Sequence, residues 1–199
     1  MGRKSLKTER VSQILDAFER CLERNGLPGT SLDNVAGEAG MARRMVRHYV
    51  GNRADLIHTA VARIIERFNM TVFELIDQSN PEDRFRAALD YVFSEAFNEL
   101  PATRLVAALL PASLYDEQVR KAVKSIYDAF QSGLDQELKR HLPNAPDHER
   151  SQVAYSIMCL SFGGGWMGNI GFDRTFNLRN KQIAEDLITH LKNTSGTPT

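Results

Sequence analysis

Apolar residues recur three and four positions apart along almost the whole of this 199-residue chain, and nowhere do they alternate over a strand's length. No Asn-Gly pair stands between two alternating runs to offer a hairpin turn. The pattern predicts an all-α fold, because that spacing stacks side chains on one helical face. Val11, Ile14, Leu15, Phe18 and Leu22 predict a first helix, closed by Gly26. After the LPGTS loop, Thr30 or Ser31 caps a second helix carrying Leu32, Val35, Ala36 and Ala39, which Gly40 ends. Residues 42–49 predict a short third helix, and Asn52 caps a long fourth, apolar from Leu56 to Ile76 and jointed within. SNPED breaks the chain, with Pro81 in a first-turn position. Further helices are expected from Phe85 to Ala96, over 103–110, from Val119 to Leu138, over 147–168 and over 178–192, bounded by Pro101, Pro111 and Pro143. The expectation is nine helices divided as a 1–55 domain, a 56–193 body and a frayed 194–199 tail.

Composition narrows the functional classes. At 42% hydrophobic and 25% charged, the chain is ordinary globular material. No apolar run approaches a membrane span, so no membrane partner is expected. The start, MGRKSLKTER, leads into an amphipathic pattern and not an apolar signal core, and Leu6 stands where a myristoylation signal wants Ser or Thr. A cytoplasmic location is expected. Cys21 and Cys159 both fall in helical apolar patterns and read as core thiols of a reducing compartment. The histidines at 48, 58, 141, 148 and 190 lack metal-ligand spacing, and there is no Gly-x-Ser-x-Gly elbow or Walker loop. No catalytic residue, metal or cofactor is therefore nominated. GGGWMG, residues 163–168, formally satisfies G-x-G-x-x-G, but it follows a helical run and no strand, so a dinucleotide site is rejected. Its four glycines point to close helix approach at a dimer interface, or to unwinding beside a ligand.

Net charge is zero, yet its distribution is uneven: residues 1–55 hold ten Lys and Arg against seven Asp and Glu, and the remainder is acidic. The asymmetry concentrates in MARRMVRHYVGNR, residues 41–53. With Arg43 at zero on a helical wheel, Arg47 falls at about 40°, Arg44 at about 100° and His48 at about 140°. Ala42, Met45, Val46 and Tyr49 fall between about 200° and 300°, which makes one side a packing face and the other a cationic edge. No acidic residue lies between Ala39 and Arg53, whereas a merely solubilising face would mix both signs. A turn at Gly40 between two short helices makes a helix-turn-helix, whose second helix enters the DNA major groove. Arg43, Arg44, Arg47 and His48 are placed to reach phosphates or base edges.

TSLDNVAGEAGMARRMVRHYVGNRADL resembles the DNA-binding signature of the TetR family of bacterial transcriptional regulators. The matching positions are Thr30, Ser31, Val35-Ala36, Ala39-Gly40, Met41-Ala42 and Arg53. Departures fall where contacts are made. Ala42 replaces the usual capping Ser, Arg44 stands where a small residue is common, and Arg47 occupies the Tyr position. Tyr49 and Val50 take the His and Phe positions. Arg53 keeps a cation near the start of the fourth helix, where it can grip a phosphate. The DNA-facing set is thus Thr30, Ser31, Ala42, Arg43, Arg44, Arg47, His48, Tyr49 and Arg53.

The resemblance implies an effector pocket in the body and a two-fold pairing of the last two helices. Phe93, Phe97, Leu109, Tyr127, Phe130, Phe162 and Trp166 are candidates for the pocket, each also readable as plain core. Such a pocket suits a small hydrophobic or cationic molecule, and the helical order with its Gly/Trp segment resembles the choline-responsive BetI-like branch. Val153, Ile157, Gly164, Ile183, Leu187 and Leu191 are the candidates for the dimer interface. Trp166 fits either the pocket or the interface. The resulting expectation is a dimeric repressor, released from a palindromic double-stranded operator by its effector. The alternative is an all-α small-molecule carrier or enzyme without DNA binding.

Overall fold

A computed structural model describes residues 3–77 and 81–195, and every regular element among them is helical. The helices are α1 (Arg3–Asn25), α2 (Leu32–Glu38), α3 (Arg43–Val50), α4 (Arg53–Asp77), α5 (Pro81–Val92), α6 (Glu95–Glu99) and α7 (Pro101–Leu109). A 3-10 turn (Pro111–Leu114) precedes α8 (Glu117–His141), α9 (Asp147–Asn169) and α10 (Thr175–Ser195). Ten α-helices among the described residues replace the nine expected. The extra one arises because the expected 85–96 helix is two. Ser94 has extended backbone, and its Oγ accepts from Phe97 N at 3.2 Å while its O–H donates to Tyr91 O at 2.7 Å. A new N-cap there outweighs the apolar period running through it. The fourth helix is unbroken, without the expected joint. The last helix continues through Ser195, and 196–199, the rest of the expected frayed tail, lie outside the described residues.

The chain forms two compact units, one of residues 1–68 and 101–126, the other of 69–100 and 127–199. The first therefore exceeds the 1–55 domain expected, and its boundary lies inside α4. Its core joins Ile14, Leu15, Phe18 and Leu22 of α1 to Val35 of α2, Val46 of α3, and Leu56, Ile57 and Ile64 of α4. Each fully buried aliphatic or aromatic side chain there contributes about 1.5–3 kcal/mol. α7 also lies against α1. Around this core, Arg20 and Arg24 of α1 hold Glu38 at the end of α2, at 2.7 and 3.1 Å. Hydrogen bonding from Arg20, then from Arg24, keeps the Glu38 carboxyl below the usual carboxylate range. Arg63 of α4 pairs with Asp16 and Glu19 of α1.

The second unit packs α5, α6, α9, α10 and the later part of α8. Arg150, buried in α9, donates to Asp135 of α8 at 3.0 Å and pairs with Asp147 at 2.8 Å, so its charge is met on two sides. Cys21 is buried as expected. Cys159 is not a core thiol: it is exposed on α9.

Candidate functional site

The turn between α2 and α3 is built by hydrogen bonds that the sequence dictates locally. Ser31, not Thr30, caps α2, its Oγ accepting from Asn34 N at 3.1 Å. Thr30 is buried, and its hydroxyl donates to Gly26 O at 2.8 Å. It therefore shapes the loop from inside and does not face DNA, contrary to expectation. At Gly40 the backbone takes φ +63°, a left-handed conformation that favours glycine, and Met41 N reaches back to Ala36 O at 2.9 Å. Gln13 Nε2 of α1 donates to Ala39 O at 2.8 Å, tying the turn to the first helix.

The cationic edge of α3 is exposed as its sequence predicts, but of the four residues expected to pack only Val46 is buried, and Ala42 is exposed. Val46 and Val50 are buried, while Arg43, Arg44, Arg47 and His48 are exposed and Tyr49 is half-buried with its ring edge-on to His48. Met45, read from the wheel as packing, is 37% exposed and joins the outer edge. Ala42 occupies the N-cap with no side-chain hydrogen bond. Arg43 Nη1 lies 3.1 Å from Asp33 Oδ2 of α2, an acidic neighbour that no reading along residues 39–53 reveals.

Arg53 begins α4, whose N-terminus is closed by Asn52: its Oδ1 accepts from Ala54 N at 2.8 Å and Asp55 N at 3.1 Å. Asp55 Oδ2 in turn accepts from Asn52 N at 2.8 Å, completing a reciprocal cap. Gly51 leads into it at φ +81°, where a Cβ would also collide with the Asp55 carboxylate. Arg53 itself is half-buried, with Nη2 donating to Leu27 O at 3.3 Å and Nη1 3.9 Å from Asp116 Oδ2.

In the second unit, Phe97, Phe130 and Phe162 meet at centroid distances of 5.1–5.7 Å, and Tyr127 stacks edge-on to Phe162 at 4.9 Å. Phe97 and Phe162 are buried; Tyr127 and Phe130 are half-buried. Burial pushes the Tyr127 hydroxyl up, keeping it neutral and able to donate. Phe93 is buried and Trp166 half-buried in the same unit. Leu109 is buried in the first unit, outside this ring cluster.

Two of the four glycines of α9, Gly164 and Gly165, answer to the chain's own packing. α9 is not unwound there. A Cβ at Gly164 would collide with the Asn177 amide, and one at Gly165 with Asn98. That close approach lets Asn177 Nδ2 reach Phe93 O at 3.2 Å and Asn180 Nδ2 reach Leu160 O at 3.2 Å, while the Ser161 hydroxyl donates to Val92 O at 2.8 Å. Side chains of α9 and α10 thus satisfy carbonyls freed where α5 ends. Gly164 is in this way a seat for α10 of its own chain. Three other expected interface residues, Val153, Ile157 and Leu191, are buried within the chain, Leu187 is half-buried, and only Ile183 is exposed. The exposed large apolar side chains of these helices are instead Tyr155 and Met167 of α9, Ile170 and Phe172 just beyond it, and Phe176, Leu178 and Ile183 of α10.

A helix-turn-helix in the first unit and a helical bundle in the second are the parts that define the TetR-family fold. No protein-family model matches the chain. A regulator from Burkholderia mallei described as HTH-type transcriptional regulator BetI is 25% identical over 194 residues, covering 96% of this chain and 97% of its own. A TetR transcription regulator from Haloarcula marismortui superposes with a TM-score of 0.75 at 16% identity, covering 92% of this chain and 98% of that one. A transcriptional regulator from Pseudomonas aeruginosa gives 0.73 at 18% identity over 94% and 91%. The chain thus has the fold of solved TetR-family regulators, and over nearly its whole length its sequence is similar to a regulator described as BetI.

Proposed function

We propose that this chain is a dimeric repressor that binds a palindromic double-stranded operator through Arg43, Arg44, Arg47 and Arg53 and leaves it when a small hydrophobic or cationic effector binds. The observation that carries the reading is the division of α3: two valines buried in the core and three guanidinium groups exposed beside them. Exposed cations on the second helix of a helix-turn-helix are what phosphate and guanine recognition requires. The rings around Phe97 and Phe162, together with Trp166, are the effector-facing groups in this reading, and aromatic faces suit a quaternary ammonium as well as an apolar ligand. Effector would shift the population toward a spacing of the two recognition helices that no longer fits adjacent grooves. The protein acts in the cytoplasm and is not an enzyme; the relatives it resembles are regulators by description.

Selection of genomic fragments at about 50 mM salt, followed by footprinting, tests this, because affinity should fall steeply with salt as neutralised phosphates release counterions. A two-fold symmetric footprint is expected, and enrichment of nothing overturns the reading. Replacing Arg44 or Arg47 by Ala should cost about 1–3 kcal/mol on the selected site if the residue reads a base. An equal loss on every sequence would mark that residue as a phosphate contact.

A further inference from the structure

Asp116 stands just before α8 with its two carboxylate oxygens facing different ways. Oδ1 accepts from Gln118 N at 2.9 Å and Val119 N at 3.2 Å, capping α8. Oδ2 lies 3.9 Å from Arg53 Nη1. Arg53 is the first residue of α4, one turn of chain beyond the recognition helix, and its other terminal nitrogen is held by Leu27 O at 3.3 Å. The Arg53 and Asp116 side chains are 41% and 40% exposed, so water and a competing anion both reach the pair. An exposed ion pair at that separation contributes little to stability. What it does determine is the charge that an approaching phosphate meets at Arg53.

We infer that Asp116 is a positioning residue for DNA binding: its carboxylate competes with a backbone phosphate for Arg53 and thereby lowers the protein's affinity for duplex DNA. The inference rests on the DNA-binding reading above and adds to it a residue outside the helix-turn-helix. Competition of this kind requires a weak, solvent-accessible partner, which the 3.9 Å separation supplies; a buried bidentate partner would hold Arg53 permanently. Asp116 is also rooted in α8, and that helix continues without a break to Tyr127 and Phe130.

The informative variant is Asp116→Asn, because Asn caps a helix as well as Asp does and removes only the charge. The probe is a mixed-sequence 30-base-pair duplex, since a phosphate contact is independent of sequence. Binding is measured from about 50 to 200 mM salt for the wild type, Asp116→Asn, Arg53→Met and the double variant. Asp116→Asn should bind roughly three- to ten-fold tighter, with the slope of log affinity against log salt steeper by up to about one. In the Arg53→Met background the same substitution should change nothing. Thermal unfolding at an unchanged midpoint would confirm that the cap survives. Unchanged affinity and slope in Asp116→Asn overturn the inference while leaving the DNA-binding reading intact. So does an equal gain with and without Arg53, which would mark a general loss of negative charge. If the wild type binds no duplex even at low salt, both fall together.

Discussion

Ala42 opens the recognition helix without a side chain to close it. Its backbone, φ −68° and ψ 140°, is the extended conformation from which a Ser hydroxyl would cap the first turn. Ala42→Ser should therefore stabilise the first unit by about 0.5–2 kcal/mol, read as a shift in the urea midpoint at constant slope. No change would mean that the turn holds its orphan N–H groups by another route. Single residues also show how far the sequence can be read. A cap before an apolar run was legible at 30–31, but choosing Ser31 over Thr30 depends on which hydroxyl the loop turns inward, toward Gly26 O. The Arg43–Asp33 pair was illegible for the same kind of reason: it joins two helices across a turn, and linear charge patterns see only neighbours.

At the scale of elements, α9 holds glycines with opposite requirements. Gly163 has open space where a Cβ would be, whereas Gly164 abuts the Asn177 amide that bonds Phe93 O. Gly163→Ala should raise stability by roughly 0.5–1 kcal/mol through helix propensity. Gly164→Ala should lower it by about 1–3 kcal/mol through overpacking that displaces Asn177. Denaturation of both variants checks this, and two changes of the same sign would refute the packing account. α8 ends in His141, stacked on Phe85 at 4.8 Å, and burial, then the nearby Lys192 charge, lowers its pKa. A lowered folded-state pKa means that the native state resists protonation. Stability from this group is full above the ordinary histidine range and falls as the pH drops through the folded value. The wild type should thus lose stability between about pH 7 and 5 more steeply than His141→Phe, which keeps the stack and has no proton to take up. Equal pH profiles would show that the ring is as free to protonate folded as unfolded. Element types and most ends were legible because period and breakers are local. The α5–α6 division was not, since a periodic apolar pattern continues straight through a bend that only the Ser94 cap reveals.

For the whole molecule, periodicity gave no means of telling a face that packs on the chain itself from one left outside. α9 has both. Val153 and Ile157 fill the interior, while Tyr155, Met167 and Ile170 stay exposed, and α10 adds Phe176 and Ile183 beside half-buried Leu187. So much exposed apolar surface on two adjacent helices is what an interface between copies would cover. Of the six residues named for the interface, five fall on inward or half-inward positions and only Ile183 is exposed. Dimerisation through the outer face predicts a mass twice the 22.4 kDa of one chain in sedimentation at micromolar concentration. Tyr155→Glu combined with Ile183→Glu should yield a folded monomer, because each carboxylate would be desolvated unpaired at the interface but remain hydrated on the free chain. The same variant should lose most operator affinity with an intact recognition helix, since two half-sites bound together gain an effective concentration that one cannot. Val153→Ala is the contrasting control. It removes core contacts, lowers stability and should leave the protein dimeric. A wild-type monomer under these conditions would remove the interface from α9 and α10, and a double variant that stays dimeric would place it on another face.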